Sequence, residues 1–123
     1  MSTDNQQRQG LHRVFVYGTL RAGQHNHHFL KQSEKIGDWI TPPQFALYDL
    51  GSYPGMVFGK KKVLGEVYMV SGDVLASLDR LEDVPIEYRR EQIETIFGSA
   101  WVYLYQFDLS EQREILSGDW CSR

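Results

Sequence analysis

VFVYGTLRAG, residues 14–23, opens with β-branched and aromatic residues and turns at Gly18 into a polar loop. Val14, Phe15, Val16 and Tyr17 read as a buried strand that empties into a turn. A strand ending in glycine can bring backbone N–H groups to a surface that a ligand approaches. Gly18 and Gly23 have the glycine spacing of the phosphate loop GxxxxGK[ST], but Gln24 and His25 stand where that loop needs lysine and a hydroxyl. Neither a cation for terminal phosphates nor a ligand for magnesium is supplied, so the phosphate-loop reading fails.

Outward from this stretch the chain reads as short strands with two helical segments. The first strand is expected over Arg13 to Tyr17. Asn26 suits a helix N-cap, with a short helix running from His28 to about Ser33. His25, His27 and His28 are crowded, yet they lack an i, i+4 pair and a nearby Cys or acidic partner, so no metal is expected there. A strand over Lys35 to Thr41 is broken by Pro42 and Pro43. Phe45 to Leu50 is the next, followed by a turn through Tyr53, Pro54 and Gly55 and an extended Met56 to Phe58. Lysines 60–62 mark a solvated hairpin tip rather than a binding patch. Val63 to Val70 reads as a central strand. Tyr88 to Phe97 and Ser99 to Phe107 form a pair joined near Gly98, the second apolar on both alternating faces and therefore central. The order of elements gives an α+β class.

GDVLASLDRLED, residues 72–83, is the clearest helix, with Asp73 a candidate N-cap and Val74, Leu75, Leu78 and Leu81 at helical spacing. At about 100° per residue from Val74, Leu78 falls at about 40°, Glu82 at about 80° and Leu75 at about 100°. A carboxylate thus lies inside the apolar stripe, while Arg80 and Asp83 point outward. Desolvation and the negative end of the helix dipole both raise the pKa of Glu82, which is the environment of a general base. The other reading of the same position is a helix-end residue that frays to solvent ahead of Pro85.

The composition bounds the function. The chain has 123 residues, 41% hydrophobic and 24% charged, with a formal charge of -3 and a pI near 5.8. That length supports one core without metal or disulfide staples. The acidic balance argues against a nucleic-acid footprint. Cys121 is the sole cysteine and cannot pair internally, which fits a reducing, cytoplasmic setting. No apolar stretch reaches the length of a membrane span, and MSTDNQQRQG lacks the apolar region of a signal peptide. Residues 1–11 read as a disordered lead-in to one domain over 12–123.

YGTLR at 17–21, GQHNH at 23–27 and LDRLEDVPIEYRR at 78–90 together resemble the γ-glutamylcyclotransferase-like family, in particular its short, γ-glutamylamine cyclotransferase-type members. The similarity runs from Val14 to about Trp120. It implies a small mixed β-barrel or curled sheet with flanking short helices, its cavity between the YGTL loop and the glutamate. It implies cyclisation of a γ-glutamyl small molecule to 5-oxoproline with release of the attached amine or amino acid, and no metal or other cofactor. Glu82 matches the family's catalytic glutamate. Tyr17, Gly18, Thr19, Leu20 and Tyr88 fall at the substrate, the first four through backbone N–H groups, and Asn26 and His27 belong to the family's loop. Relatives commonly have glycine after the glutamate, where this chain has Asp83, a second negative charge beside Glu82 that also bears on the turn. The alternative on the same fold is a non-catalytic small-molecule-binding or regulatory protein. The resemblance names neither the leaving group nor an oligomeric state.

Overall fold

The computed structural model describes residues 10–123. β1 (Leu11–Val16), β2 (Glu34–Ile40), β5 (Leu64–Ser71), β6 (Tyr88–Thr95) and β7 (Gly98–Tyr105) form one sheet in the order β2-β5-β1-β7-β6. β3 (Phe45–Asp49), β4 (Pro54–Phe58) and β8 (Arg113–Glu114) form a second in the order β4-β3-β8. One α-helix, α1 (Gly72–Leu81), follows β5, and 3-10 turns occupy His27–Leu30 and Trp120–Ser122. The α+β class holds. Of the lead-in expected over residues 1–11, residues 1–9 lie outside the described residues, and Leu11 already pairs with Ser71 in β1.

Both faces of the larger sheet are covered, which is why residues 14–17 and 100–105 show no polar alternation. Phe15, Val67, Val102 and Leu104 pack with Leu47, Met56 and Trp120 on the side of the second sheet. On the opposite face Val14, Val16, Tyr68 and Val70 pack with Leu75 and Leu78 of α1. Burying one such side chain fully stabilises by roughly 1.5–3 kcal/mol, so this two-sided packing fixes where β1 ends and its loop begins. β1 is central, antiparallel to β5 and parallel to β7.

A closed barrel is not formed. Closure needs β2 to pair with β6, and these remain the two edges of the sheet. The sheet curls instead: at Gly37 of β2 an added Cβ would lie 2.6 Å from Cζ of Phe97, in the β6–β7 turn. Among the described residues no helix is long and apolar enough to cross a membrane.

Candidate active site

Tyr17, Gly18, Thr19 and Leu20 continue from β1 as a buried loop. At Gly18 a Cβ would stand 2.5 Å from Cγ of Pro54, so glycine here permits close approach to the start of β4. The loop is held by its own neighbours. Asn26 donates from its backbone N–H to Thr19 O at 3.0 Å and from its side chain to Thr19 Oγ1 at 3.0 Å, and His27 Nδ1 lies 2.9 Å from Leu20 O. Asn26 occupies the N-cap position, but its side chain serves the loop and not the helix, and the helix expected from His28 is a single 3-10 turn. Among the described residues no protein acceptor takes the N–H of Gly18, Thr19 or Leu20.

Arg21 ties the far end of this loop to the rest of the molecule. Its guanidinium reaches Glu66 Oε2 at 3.2 Å and Asp119 Oδ1 at 2.7 Å. Burial by itself raises the Glu66 carboxyl, but bonds from the Ala22 N–H, the Tyr68 hydroxyl and Arg21 outweigh it and leave the pKa lowered. Asp119, raised by burial, is likewise brought down by Arg21 and the Cys121 N–H. Arg21→Ala leaves Glu66 buried without its cation, and its expected cost is about 3 kcal/mol of unfolding free energy near neutral pH. Both carboxylates have folded pKa values below their unfolded ones, so this stabilisation is present above the usual carboxylate range and is lost as pH falls. Chemical denaturation at pH 7 and at pH 3 checks it: the gap between parent and variant should shrink in acid.

At the other wall α1 begins at Ser71, whose Oγ accepts from the Val74 N–H at 3.2 Å. Ser71, not Asp73, is therefore the N-cap; Asp73 falls in the first turn, where its charge meets the positive end of the helix. Glu82 is the C-cap and still donates its N–H to Leu78 O at 2.9 Å. The helical register thus persists to Glu82 and keeps it on the apolar side, with Arg80 and Asp83 exposed. Asp83 adopts φ 52, the left-handed conformation in which helices commonly end on glycine. Aspartate is among the few other residues that visit this region, so the turn survives the change.

The two walls enclose a cavity of about 170 Å3. Tyr17, Gly18, Thr19, Leu20, Glu82 and Tyr88, all anticipated from the sequence, line it. Glu82 is half-buried and accepts no hydrogen bond from a described residue. Burial, followed by the charge of Glu87, pushes its pKa up to about 7. Asp83, expected to supply the second negative charge, faces outward; Glu87 supplies it. The Tyr88 hydroxyl donates to Pro54 O at 2.7 Å, so this residue offers the cavity its ring and not a free hydroxyl. Tyr17 donates to Tyr103 O at 2.6 Å, and Tyr103 donates to Asp79 Oδ1 at 2.8 Å, which also pairs with Arg90 Nε at 3.1 Å. Burial foremost raises the pKa of all three tyrosines, so they stay protonated at neutral pH. Among the described residues of the lining, Glu82 and Glu87 supply the carboxylates.

Tyr53, Glu87 and Tyr103 also line the cavity and were not singled out by sequence pattern. The one signal for Glu87 was its position across Pro85 from Glu82, where the chain turns back. Among the described residues no group of three or more His, Cys, Asp or Glu is arranged to hold a metal ion.

Residues 14–122 match the protein-family model described as "Gamma-glutamyl cyclotransferase, AIG2-like". A Vibrio cholerae protein provisionally named a gamma-glutamylcyclotransferase is 57% identical over 112 residues, 91% of this chain and 97% of its own length. The Escherichia coli gamma-glutamylcyclotransferase family protein YtfP is 44% identical over 111 residues, covering 90% of this chain and 97% of that protein. Its solution structure superposes with a TM-score of 0.75 over 88% of this chain and 95% of that one. The crystal structure of an uncharacterised Pyrococcus horikoshii protein, 31% identical, gives 0.76 over 90% and 91% of the two chains.

Proposed function

The chain belongs to the gamma-glutamyl cyclotransferase, AIG2-like family, and on that footing we propose that it cyclises a γ-glutamyl compound to 5-oxoproline and releases the attached amine or amino acid. The substrate's own α-nitrogen attacks its γ-carbonyl carbon, a five-membered lactam closes, and the bond from that carbon to the departing nitrogen breaks. The proton lost by the α-nitrogen passes to Glu82 and then to the leaving nitrogen, so Glu82 ends the cycle ionised as it began. No oxidant, nucleotide or enzyme nucleophile enters the balance.

The observation that carries this reading is the unpartnered, half-buried carboxyl of Glu82 with its pKa at about 7, in the same cavity as Tyr17 to Leu20. An α-ammonium titrates at about 8, so base and nucleophile are matched to within roughly one unit. The free N–H groups of Gly18, Thr19 and Leu20 are suited to hold the substrate α-carboxylate or to stabilise the carbonyl oxygen as it gains charge. Holding the flexible glutamyl chain folded removes much of the entropy cost of ring closure. The bonds from Tyr17 to Tyr103 O and from Tyr103 to Asp79, with the half-buried Asp79–Arg90 ion pair, brace this wall, which suits a reaction governed by positioning. The left-handed turn at Asp83 supports the catalytic reading over the non-catalytic alternative.

The base must be ionised to act, so kcat/KM should rise with pH through a limb at about 7, below which Glu82 is protonated. A second limb at about 8 belongs to the substrate ammonium and should move with substrates of different amine pKa. A pH profile of initial rates checks both; a single limb in the ordinary carboxylate range would contradict the assignment of Glu82.

A further inference from the structure

Among the described residues, Glu82 and Glu87 are the charged side chains of the cavity wall, and no Lys, Arg or His lines it. The proposed chemistry uses Glu82 and leaves Glu87 without a role. Glu87 lies between α1 and β6, and its Oε2 accepts a 2.5 Å bond from the Tyr53 hydroxyl, whose residue is 38% exposed. Tyr53 and Glu87 therefore mark the mouth, whereas Tyr17 and Tyr103 are buried. Two aromatic rings of the lining stand beside this mouth: Tyr53 and Tyr88 have centroids 6.4 Å apart, and Tyr105, outside the lining, backs Tyr88 edge to face at 5.2 Å. The arginines that follow Glu87 in β6 are engaged elsewhere, Arg89 with Glu91 and Arg90 with Asp79 and the Trp101 ring.

A carboxylate with no cation of its own, edged by tyrosine rings, is a receptor for an alkylammonium group. It repels the substrate's α-carboxylate, which leaves the departing half of the molecule to occupy it. Glu87 and Glu82 line the same cavity of about 170 Å3, within reach of the two ends of one small substrate. We infer that Glu87, with Tyr53 and Tyr88, is the leaving-group subsite, and that it selects γ-glutamyl amides whose departing amine carries a second, cationic nitrogen, such as monoamides of diamines. Departing halves that carry a carboxylate are disfavoured by the same charge. This inference rests on the proposed reaction for which half of the substrate faces Glu87.

Three amides of the glutamate γ-carboxyl decide it: those of 1,4-diaminobutane, pentylamine and 4-aminobutyrate, which differ mainly in the charge of the distal group. Binding is measured calorimetrically on Glu82→Gln protein, where turnover does not interfere, and turnover on the unaltered protein. The diamine amide should bind about tenfold more tightly than the pentyl amide, and the carboxylate amide at least about tenfold more weakly than the pentyl. Adding Glu87→Gln should bring the diamine-to-pentyl ratio to within about threefold, through KM in the turnover arm. Tyr53→Phe, which keeps the ring and the carboxylate, should retain the preference. Raising salt from about 20 to about 500 mM should shrink it without any substitution. Equal affinity for the diamine and pentyl amides, or a preference that survives Glu87→Gln, overturns the assignment. Selective binding with no 5-oxoproline from any of the three would instead sink the proposed reaction and leave the selection standing.

Discussion

Glu82→Gln is expected to lower turnover by about two to four orders of magnitude while leaving the fold intact, because the amide is nearly isosteric but cannot accept a proton. The same substitution should raise stability above neutral pH. The folded pKa of about 7 lies above the unfolded carboxylate value, so the folded state holds the proton more tightly. That contribution to stability is fully present below the unfolded pKa and is lost as pH climbs through about 7. At pH 8 the parent carries an ionised, half-buried carboxylate, and replacing it should gain roughly 1–3 kcal/mol. Thermal melts and initial rates on the same preparations check the pair of effects. Opposite signs for stability and activity are what a desolvated catalytic base requires; near-normal turnover in the Gln variant would remove Glu82 from the mechanism.

Blocking the substrate α-nitrogen is expected to abolish 5-oxoproline formation outright. N-acetylation takes away the nucleophile on which the proposed ring closure depends. By contrast, lengthening a neutral alkyl leaving group by one or two methylenes should change kcat/KM by only about tenfold or less. Competition experiments separate the two causes of a null result: an acetylated compound that still inhibits turnover of the free one occupies the cavity and does not react. Turnover of the acetylated compound would rule out intramolecular attack.

How far the sequence carried these conclusions depends on the range of the interactions involved. The place of Glu82 on the apolar face was legible because a helical stripe is a local property: Val74, Leu75 and Leu78 set the buried face within two turns, and the register persists to the C-cap. The burial of β1 and β7 on both faces was legible from runs without polar alternation. Curl as against closure was not, since it turns on whether β2 and β6 pair, and neither strand's pattern encodes its distant partner. The N-cap was misplaced by two residues because Ser71 and Asp73 are both good caps, and only the bond to Val74 separates them. Tyr53 and Glu87 meet across 34 residues, and Arg21 and Asp119 across 98, so neither pair leaves a motif. The outward direction of Asp83 followed from the wheel; its left-handed backbone did not, because dihedral angles beyond a helix end depend on how the chain returns to the sheet.

The fate of the γ-carbonyl carbon distinguishes ring closure from every hydrolytic alternative that the same acid could serve. Reaction of a γ-glutamyl amide in 18O-labelled water, followed by mass analysis of the products, reads that fate. Cyclisation yields 5-oxoproline and free amine in equal amounts, with no label in the 5-oxoproline and no glutamate. Glutamate carrying solvent oxygen in its γ-carboxyl, or no consumption of the amide at all, would contradict it.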